Sequence, residues 1–410
     1  MTTCELLAPA GTLDKLKIAV TYGADAVYFG GQDFCLRAKA GNLSERELEE
    51  AIAYTRARGV KSYVTVNIFA KNQDIDKLTN YLKFLGKLGP DALIVSDPGV
   101  IALAQRITPH IPLHLSTQAN TLNYEAVRFW QTVGMKRVNL ARELGIKEIA
   151  TIRRHCPEME LEVFVHGAIC IAYSGRCMLS LYLTGREANR GNCAHPCRYK
   201  YAVQEEKRPG EFFPVEEDDR GLYIFNSRDL CLLRRIPELM DVGVNSLKIE
   251  GRMKGILYLA TVVRVYRAAL DAASSGKNWE DTVEGLFEQL CEISSRGYTE
   301  NFFDGPPTKK DMIYQGYKAP QSYIPVGIIL KGGQRPVIRA NHVIEPGDDL
   351  EYMARDLRDR NFTVVTITDA STGRPLEKTI GGETVQIETS PAINFEEYAL
   401  IRRKNPQRAD

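Results

Sequence analysis

The 410-residue chain has no run of about 18 consecutive apolar residues, the length a membrane-crossing helix needs, and no charged-then-apolar leader. The expectation is a protein with no membrane partner, working in the cytoplasm. A charge excess is also missing, since 53 Lys and Arg stand against 52 Asp and Glu, a net +1. No global basic field argues for nucleic acid, although an enzyme acting on RNA can concentrate its positive charge on one face. There is no HExxH zinc motif and no GxSxG nucleophile elbow. His110 and His114 are four apart but fall just before and inside an expected strand, where that spacing does not place them on one helical face. Nor does a Gly-rich phosphate turn follow the first strand, where 8–11 reads APAG.

What is present is a repeated pattern of short apolar runs, each followed by an amphipathic stretch. The expected strands are 5–8 (ELLA), 26–29 (AVYF), 62–67 (SYVTVN), 92–96 (ALIVS), 113–117 (LHLST), 137–141 (RVNLA), 161–166 (LEVFVH) and 245–250 (NSLKIE). Between them, 44–58 carries apolar residues at helical spacing, and Ser44 with Glu47 reads as a capping box. Strands that are continuously apolar indicate a parallel sheet buried on both faces, and eight is the number that closes a barrel. A (β/α)8 TIM-like barrel is therefore expected, with an open doubly wound sheet as the rival.

The period breaks once. Roughly 80 residues separate strands seven and eight, where about 25 is usual, and five cysteines lie in that interval. Within it, 199–204 and 222–225 read as two strands of one hairpin flanking an acidic turn, 205–220. After strand eight come helices at 257–273 and 279–295, then a Gly-Pro-Pro linker stretch beginning near 302. From about 321 the pattern turns to alternation, with strands expected at 323–330, 336–340, 349–353, 362–368, 383–388 and 398–403. The expected organisation is a barrel over 1–310 with a Cys-rich insertion at about 167–231, a linker over 311–320, and a small C-terminal all-β barrel over 321–405. That last class often grips RNA or a protein surface, and serves equally as a structural cap.

Nine cysteines in a chain expected to be cytoplasmic point to metal or redox chemistry before disulfides. Cys170, Cys177, Cys193, Cys197 and Cys231 fall in the insertion, while Cys4, Cys35, Cys156 and Cys291 are isolated in apolar or helical contexts and are assigned to packing. Thiolates in sets of three or four select zinc or iron–sulfur clusters. Only Cys193 and Cys197 are as close as structural zinc pairs usually are, which favours a [4Fe–4S] cube, with zinc and inert buried thiols remaining open on spacing alone.

The run Glu162-x-Phe164-x-x-Gly167-Ala168-Ile169-Cys170, then Gly175-x-Cys177-x-Leu179-Ser180, resembles the signature of the U32 "peptidase" or collagenase-like family. The stretches 6–11 (LLAPAG), 23–30 (GADAVYFG) and 249–252 (IEGR) resemble its other landmarks, and the likeness covers essentially the whole chain. The resemblance is strongest to the branch that hydroxylates tRNA. It implies an oxygen-independent, iron–sulfur-dependent enzyme forming 5-hydroxyuridine at the wobble position, U34, with prephenate as a required metabolite. It also implies a [4Fe–4S] cluster on Cys170, Cys177, Cys193 and Cys231, with Cys197 as the alternative fourth ligand. Ribosomal RNA or a quinone precursor are the alternative substrates, and a U32-type peptidase or a non-catalytic electron or substrate-transfer partner the alternative classes. Proteolysis through a Cys and His195 conflicts with the cluster, because one thiol cannot serve both.

Barrel enzymes carry their chemistry at the C-terminal ends of strands. Those ends offer His166, Glu250 and Arg252 as catalytic candidates, though Glu250 and Arg252 also suit a mutual ion pair and His166 a satisfied polar group. Asn67, Gln118, Arg142 and Arg228 are the candidates for substrate, with Arg142, Arg228 and Arg252 as forks for a dicarboxylate and Arg37 behind them. Phosphate contact falls to Arg186, Arg190, Arg198 and Lys200, with Tyr199 and Tyr201 to stack on bases, or else this is a solvated basic loop.

Overall fold

In the computed structural model the described residues are 4–35, 41–169, 178–188, 192–198, 203–204, 212–213, 216–218, 221–223, 226–276, 278–308, 311–313 and 321–406. They form two compact units. The first comprises residues 1–13, 25–253 and 295–318, and the second 14–24, 254–294 and 319–410. Among the described residues no helix is long and apolar enough to cross a membrane.

The first unit is built on eight parallel strands: β1 (Glu5–Pro9), β2 (Ala26–Phe29), β3 (Lys61–Val66), β4 (Ala92–Val95), β5 (Leu113–Leu115), β6 (Arg137–Asn139), β7 (Glu160–Gly167) and β8 (Ser246–Ile249). Each pairs with the next, and β8 pairs with β1, so the sheet closes into a (β/α)8 TIM-like barrel. β1, β2 and β4 are buried along their whole length, as strands covered on both faces must be. The intervening helices of this unit are α2 (Glu45–Ala57), α3 (Ile75–Leu88), α4 (Pro98–Ile107), α5 (Tyr124–Thr132), α6 (Ile146–His155) and α7 (Ile236–Val242); α1 (Leu13–Thr21) follows β1 in the chain. α2 starts at the capping box, where the Glu47 carboxylate accepts from the Ser44 backbone N–H at 2.8 Å.

Two irregularities shape the end of β7. The register between β7 and β8 shifts at Lys248/Ile249, a bulge that re-aims the residues beyond it. The short strand Asp229–Cys231 then returns from the insertion antiparallel to β7, pairing Leu230 with Gly167 and Cys231 with His166.

The insertion differs from the expected single hairpin. Val203–Gln204 pairs with Phe212–Phe213, and Glu216–Asp218 pairs with Gly221–Tyr223, giving two ribbons in succession. The sequence carries Pro209 and Gly210, a turn-prone dipeptide, between the first pair. Residues 314–320 of the expected linker lie outside the described residues, while Met312–Ile313 pairs with Asn226–Ser227.

The second unit holds residues 14–24, which take in α1 from Asp14 onward, the helices α8 (Ile256–Ser275) and α9 (Trp279–Cys291), and a closed antiparallel barrel. Its strands are β9 (Tyr323–Lys331), β10 (Val337–Ala340), β11 (Asp349–Met353), β12 (Arg360–Asp369), β13 (Thr384–Ser390) and β14 (Leu400–Lys404), in the order β9-β10-β13-β12-β11-β14. Tyr22 is fully buried; its hydroxyl donates to the Met353 carbonyl at 2.7 Å and accepts from the Leu400 N–H at 3.0 Å. Arg264, also fully buried, grips Asp359 with both terminal nitrogens at 2.6 and 3.0 Å.

Candidate active site at the barrel mouth

The strand alternation sends every second side chain into the barrel. In the N-terminal half this creates a buried ionic cluster that the strands' reading as continuously apolar runs did not anticipate. Arg137, 3% exposed, reaches Glu5 at 2.5 Å, Glu160 at 2.8 Å and Glu162 at 3.4 Å. Lys248 meets Glu162 at 2.7 Å, and Tyr63 and Ser246 donate to Glu5 at 2.7 and 3.0 Å. Burial pushes the Glu5 carboxyl up, but the Arg137 charge and hydrogen bond outweigh it and the pKa lies below the usual value. Burial, reinforced by the charges of Arg137 and Lys248, holds His114 well below the usual imidazole range, so this ring is neutral.

The C-terminal ends gather the rim. Ser116 caps the 3-10 turn Thr117–Ala119, and Asn120 ends it in the left-handed region at φ 53°, which presents Gln118. Asn67, following β3, donates its Nδ2 to Gln118 Oε1 at 2.7 Å, and the Ser116 hydroxyl donates to the same oxygen at 3.1 Å. The Ser96 hydroxyl, following β4, donates to the Asn67 carbonyl at 3.0 Å, so the ends of three strands are tied together.

Arg142, after β6, donates to the Ala168 carbonyl at 2.6 Å and lies 3.9 Å over the Phe164 ring. It has no carboxylate partner among the described residues. Burial raises the pKa of the adjacent Glu143, offset in part by backbone hydrogen bonds and the Arg142 charge.

Arg252 is 3% exposed, and its fork is occupied: Nη1 donates to Cys35 Sγ at 2.6 Å, Nη2 donates to Asn42 Oδ1, and Cys35 Sγ lies 3.1 Å from the Thr65 hydroxyl. Cys35, read as packing, is buried as expected but also engages the guanidinium that the sequence offered to a dicarboxylate. Glu250 accepts from the Tyr28 hydroxyl at 3.2 Å. His166 is 1% exposed, its carbonyl accepts from the Glu250 N–H at 2.8 Å, and its ring centroid is 5.4 Å from that of Tyr298. Gly167 has φ +111°, and a Cβ there would meet the Glu250 carbonyl at 2.5 Å, so the close approach of β7 to β8 requires glycine.

Of the candidate cluster ligands, Cys170 and Cys177 lie outside the described residues. Cys231 is 5% exposed, in register with His166, and Cys193 is half-buried with its sulfur accepting from the His195 N–H at 3.3 Å. Cys197 is also half-buried, within the turn Pro196–Arg198. Among the described residues no three His, Cys, Asp or Glu side chains converge on a metal position.

Arg186 clamps its own loop, donating to the Asn192 carbonyl and side chain at 3.1 Å and to the Cys193 carbonyl at 3.3 Å. Arg37, Arg190, Tyr199, Lys200, Tyr201 and the side chain of Arg198 lie outside the described residues. Arg228 stands two residues before Leu230, which pairs with Gly167 at the end of β7, and its backbone N–H donates to the Asp311 carbonyl at 3.1 Å. Burial raises the Asp311 pKa, but hydrogen bonds from Thr299 and Thr308, with the Arg228 charge, bring it below the usual range.

A closed parallel barrel with amides, a histidine and arginines collected at its C-terminal mouth, and the Cys231 thiol opposite His166 of β7, defines a (β/α)8 protein with a polar rim. The model of peptidase family U32 matches residues 11–313, and the chain belongs to that family. The tRNA hydroxylation protein P1 of Bacillus subtilis is 40% identical over 369 residues, covering 89% of this chain and 87% of its own length. The tRNA hydroxylation protein P of Escherichia coli is 37% identical, covering 97% and 96%. The 23S rRNA 5-hydroxycytidine C2501 synthase of Escherichia coli is 35% identical over 75% of this chain and 43% of its own.

Proposed function

We propose that this protein is a tRNA-modifying hydroxylase that adds a hydroxyl group to C5 of the wobble uridine, U34, without molecular oxygen. The observation that carries the reading is 40% identity over 89% of the chain to a relative named for tRNA hydroxylation, in a protein with a polar barrel rim. The target base leaves its stack to reach such a mouth, as base-modifying enzymes require.

Cys170, Cys177, Cys193 and Cys231 would hold a [4Fe–4S] cluster. The two described thiols suit that role in kind, since Cys193 accepts a backbone N–H at its sulfur and Cys231 lies opposite His166. When bound, such a cluster supplies single electrons. Arg142, with no carboxylate partner among the described residues, would be the fork for a dicarboxylate metabolite such as prephenate. Arg252 acts instead by fixing Cys35 and Asn42 beside Thr65.

The test is mass spectrometry of nucleosides from total tRNA, in cells with and without the gene. Loss of 5-hydroxyuridine and its derivatives in the deletion is the expected result. Unchanged levels, with no second copy of the gene, overturn the assignment to tRNA. The ribosomal alternative has its own observation, the likeness to the rRNA 5-hydroxycytidine synthase, and the same measurement on ribosomal RNA decides it.

A further inference from the structure

Among the described residues, one atom on each of two amides deep in the barrel mouth has no hydrogen-bond partner. Gln118 is 1% exposed, and its Oε1 already accepts from Asn67 and Ser116, which fixes the amide so that Nε2 is the free donor. Asn139 is 2% exposed, and its Oδ1 accepts from nothing. Asn139 faces the lumen and Gln118 the mouth above it. Gln118, in the turn after β5, meets Asn67, after β3, over the end of the intervening strand β4. Asn139 is two residues beyond Arg137, whose contacts with Glu5 on β1 cross the barrel, so the two share the inner face. The pairing of His114 with Arg137 and Leu115 with Val138 brings the end of β5 alongside Asn139.

Buried polar groups are almost always paired, and an unpaired one is costly to keep. The combination selects its ligand. The fixed Gln118 donor needs an acceptor and the Asn139 oxygen a donor, and the nearby cations Arg137 and Lys248 are already committed to Glu5 and Glu162. A neutral ring edge with an acceptor beside a donor would satisfy both amides at once.

We infer that Gln118 and Asn139 read the Watson–Crick edge of a flipped pyrimidine, Gln118 Nε2 donating to O4 of uracil and Asn139 Oδ1 accepting from its N3–H. This rests on the reading above that the substrate is RNA. Held by that edge, the base keeps C6 turned away from the amides and leaves C5 uncovered by them.

The test compares binding of two anticodon stem-loop RNAs that differ only at the wobble position, one carrying uridine and the other 3-methyluridine, which lacks the N3 donor. Wild-type protein should prefer the uridine RNA by roughly five- to a hundredfold, the worth of one buried hydrogen bond left unmade. Asn139→Leu should bring the ratio close to one while keeping affinity for the 3-methyluridine RNA. Gln118→Met loses the donor to O4 and should weaken the uridine RNA by about the same factor. Gln118→Glu keeps the acceptor for Asn67 and Ser116 and should weaken the uridine RNA above the pH at which that carboxyl ionises. Equal binding of both RNAs by the wild-type protein, an undiminished ratio in Asn139→Leu, or an unchanged affinity of Gln118→Met for the uridine RNA overturns the inference and leaves the RNA reading standing. Failure of the wild-type protein to bind either RNA overturns both.

Discussion

Arg137→Met removes the hub of the ionic cluster inside the first unit's barrel, and its consequence depends on pH in a way that the contacts determine. Arg137 holds three carboxylates at 2.5, 2.8 and 3.4 Å and is almost wholly buried. Without it, Glu162 keeps Lys248, but deep in the barrel Glu5 keeps only the hydroxyls of Tyr63 and Ser246, with the exposed Lys61 3.4 Å away at the strand's end. Breaking a buried pair from one side costs about 3–5 kcal/mol, mostly because a charge is left uncompensated.

In the wild-type protein the Glu5 pKa is depressed, so its contribution to stability is fully present above the ordinary glutamate value and is lost as pH falls through the folded value. In the variant burial outweighs the remaining Tyr63 hydrogen bond and Lys61 charge and raises that pKa, so the penalty is present at neutral pH and disappears as Glu5 takes up a proton. The gap between the two proteins should be widest at pH 7 and narrow below about pH 4.5. Urea unfolding can read this through Trp130, in the first unit, once Trp279→Phe has removed the second unit's indole from both proteins. A loss under about 1 kcal/mol at pH 7 is what an exposed pair gives and refutes the reasoning, as does a gap that widens in acid.

Tyr22→Phe should destabilise the second unit by about 1–3 kcal/mol, because the Met353 carbonyl and the Leu400 N–H both lose a buried partner; unfolding followed at Trp279 checks it. Gly167→Ala should cost more than about 1 kcal/mol, given the +111° φ and the contact with the Glu250 carbonyl, and a melting temperature equal to wild type would contradict it. Arg252→Gln should expose the thiol it covers and speed maleimide labelling of Cys35, measured by peptide mass spectrometry; an unchanged rate would mean that Arg252 does not shield it. On the proposed function, Arg142→Gln should raise the concentration of carboxylate metabolite needed for hydroxylation at least tenfold with little change in stability, since among the described residues its only protein acceptor is the Ala168 carbonyl.

Much of the barrel was legible because a strand covered on both faces must be apolar along its length. The stretches 26–29 and 161–166 fall on β2 and inside β7 for that reason, and Ser44 with Glu47 marked the start of α2 through chemistry confined to four residues. The same rule hid the ionic cluster. Glu5, Arg137, Glu162 and Lys248 each interrupt an apolar run, and nothing local distinguishes an interruption that faces the lumen from one at a strand end. Arg137 meets Glu5 across 132 positions of sequence, so the pairing appears only once the barrel has closed.

The rim divides along the same line. Asn67, Gln118, Arg142, His166, Glu250 and Arg252 lie at or just past strand ends, the positions that a barrel's strand pattern makes legible. Their roles were not legible, because a role depends on which hydrogen bonds are already made. Arg252 and Arg142 look alike in sequence as guanidiniums following a strand, yet one is held by Cys35 and Asn42 and the other has only a carbonyl. Gln118 and Asn139 are likewise ordinary amides until two donors on one oxygen leave a nitrogen free beside an acceptor. Satisfaction of a polar atom is a property of the closed barrel, and that is why the substrate edge became readable only in three dimensions.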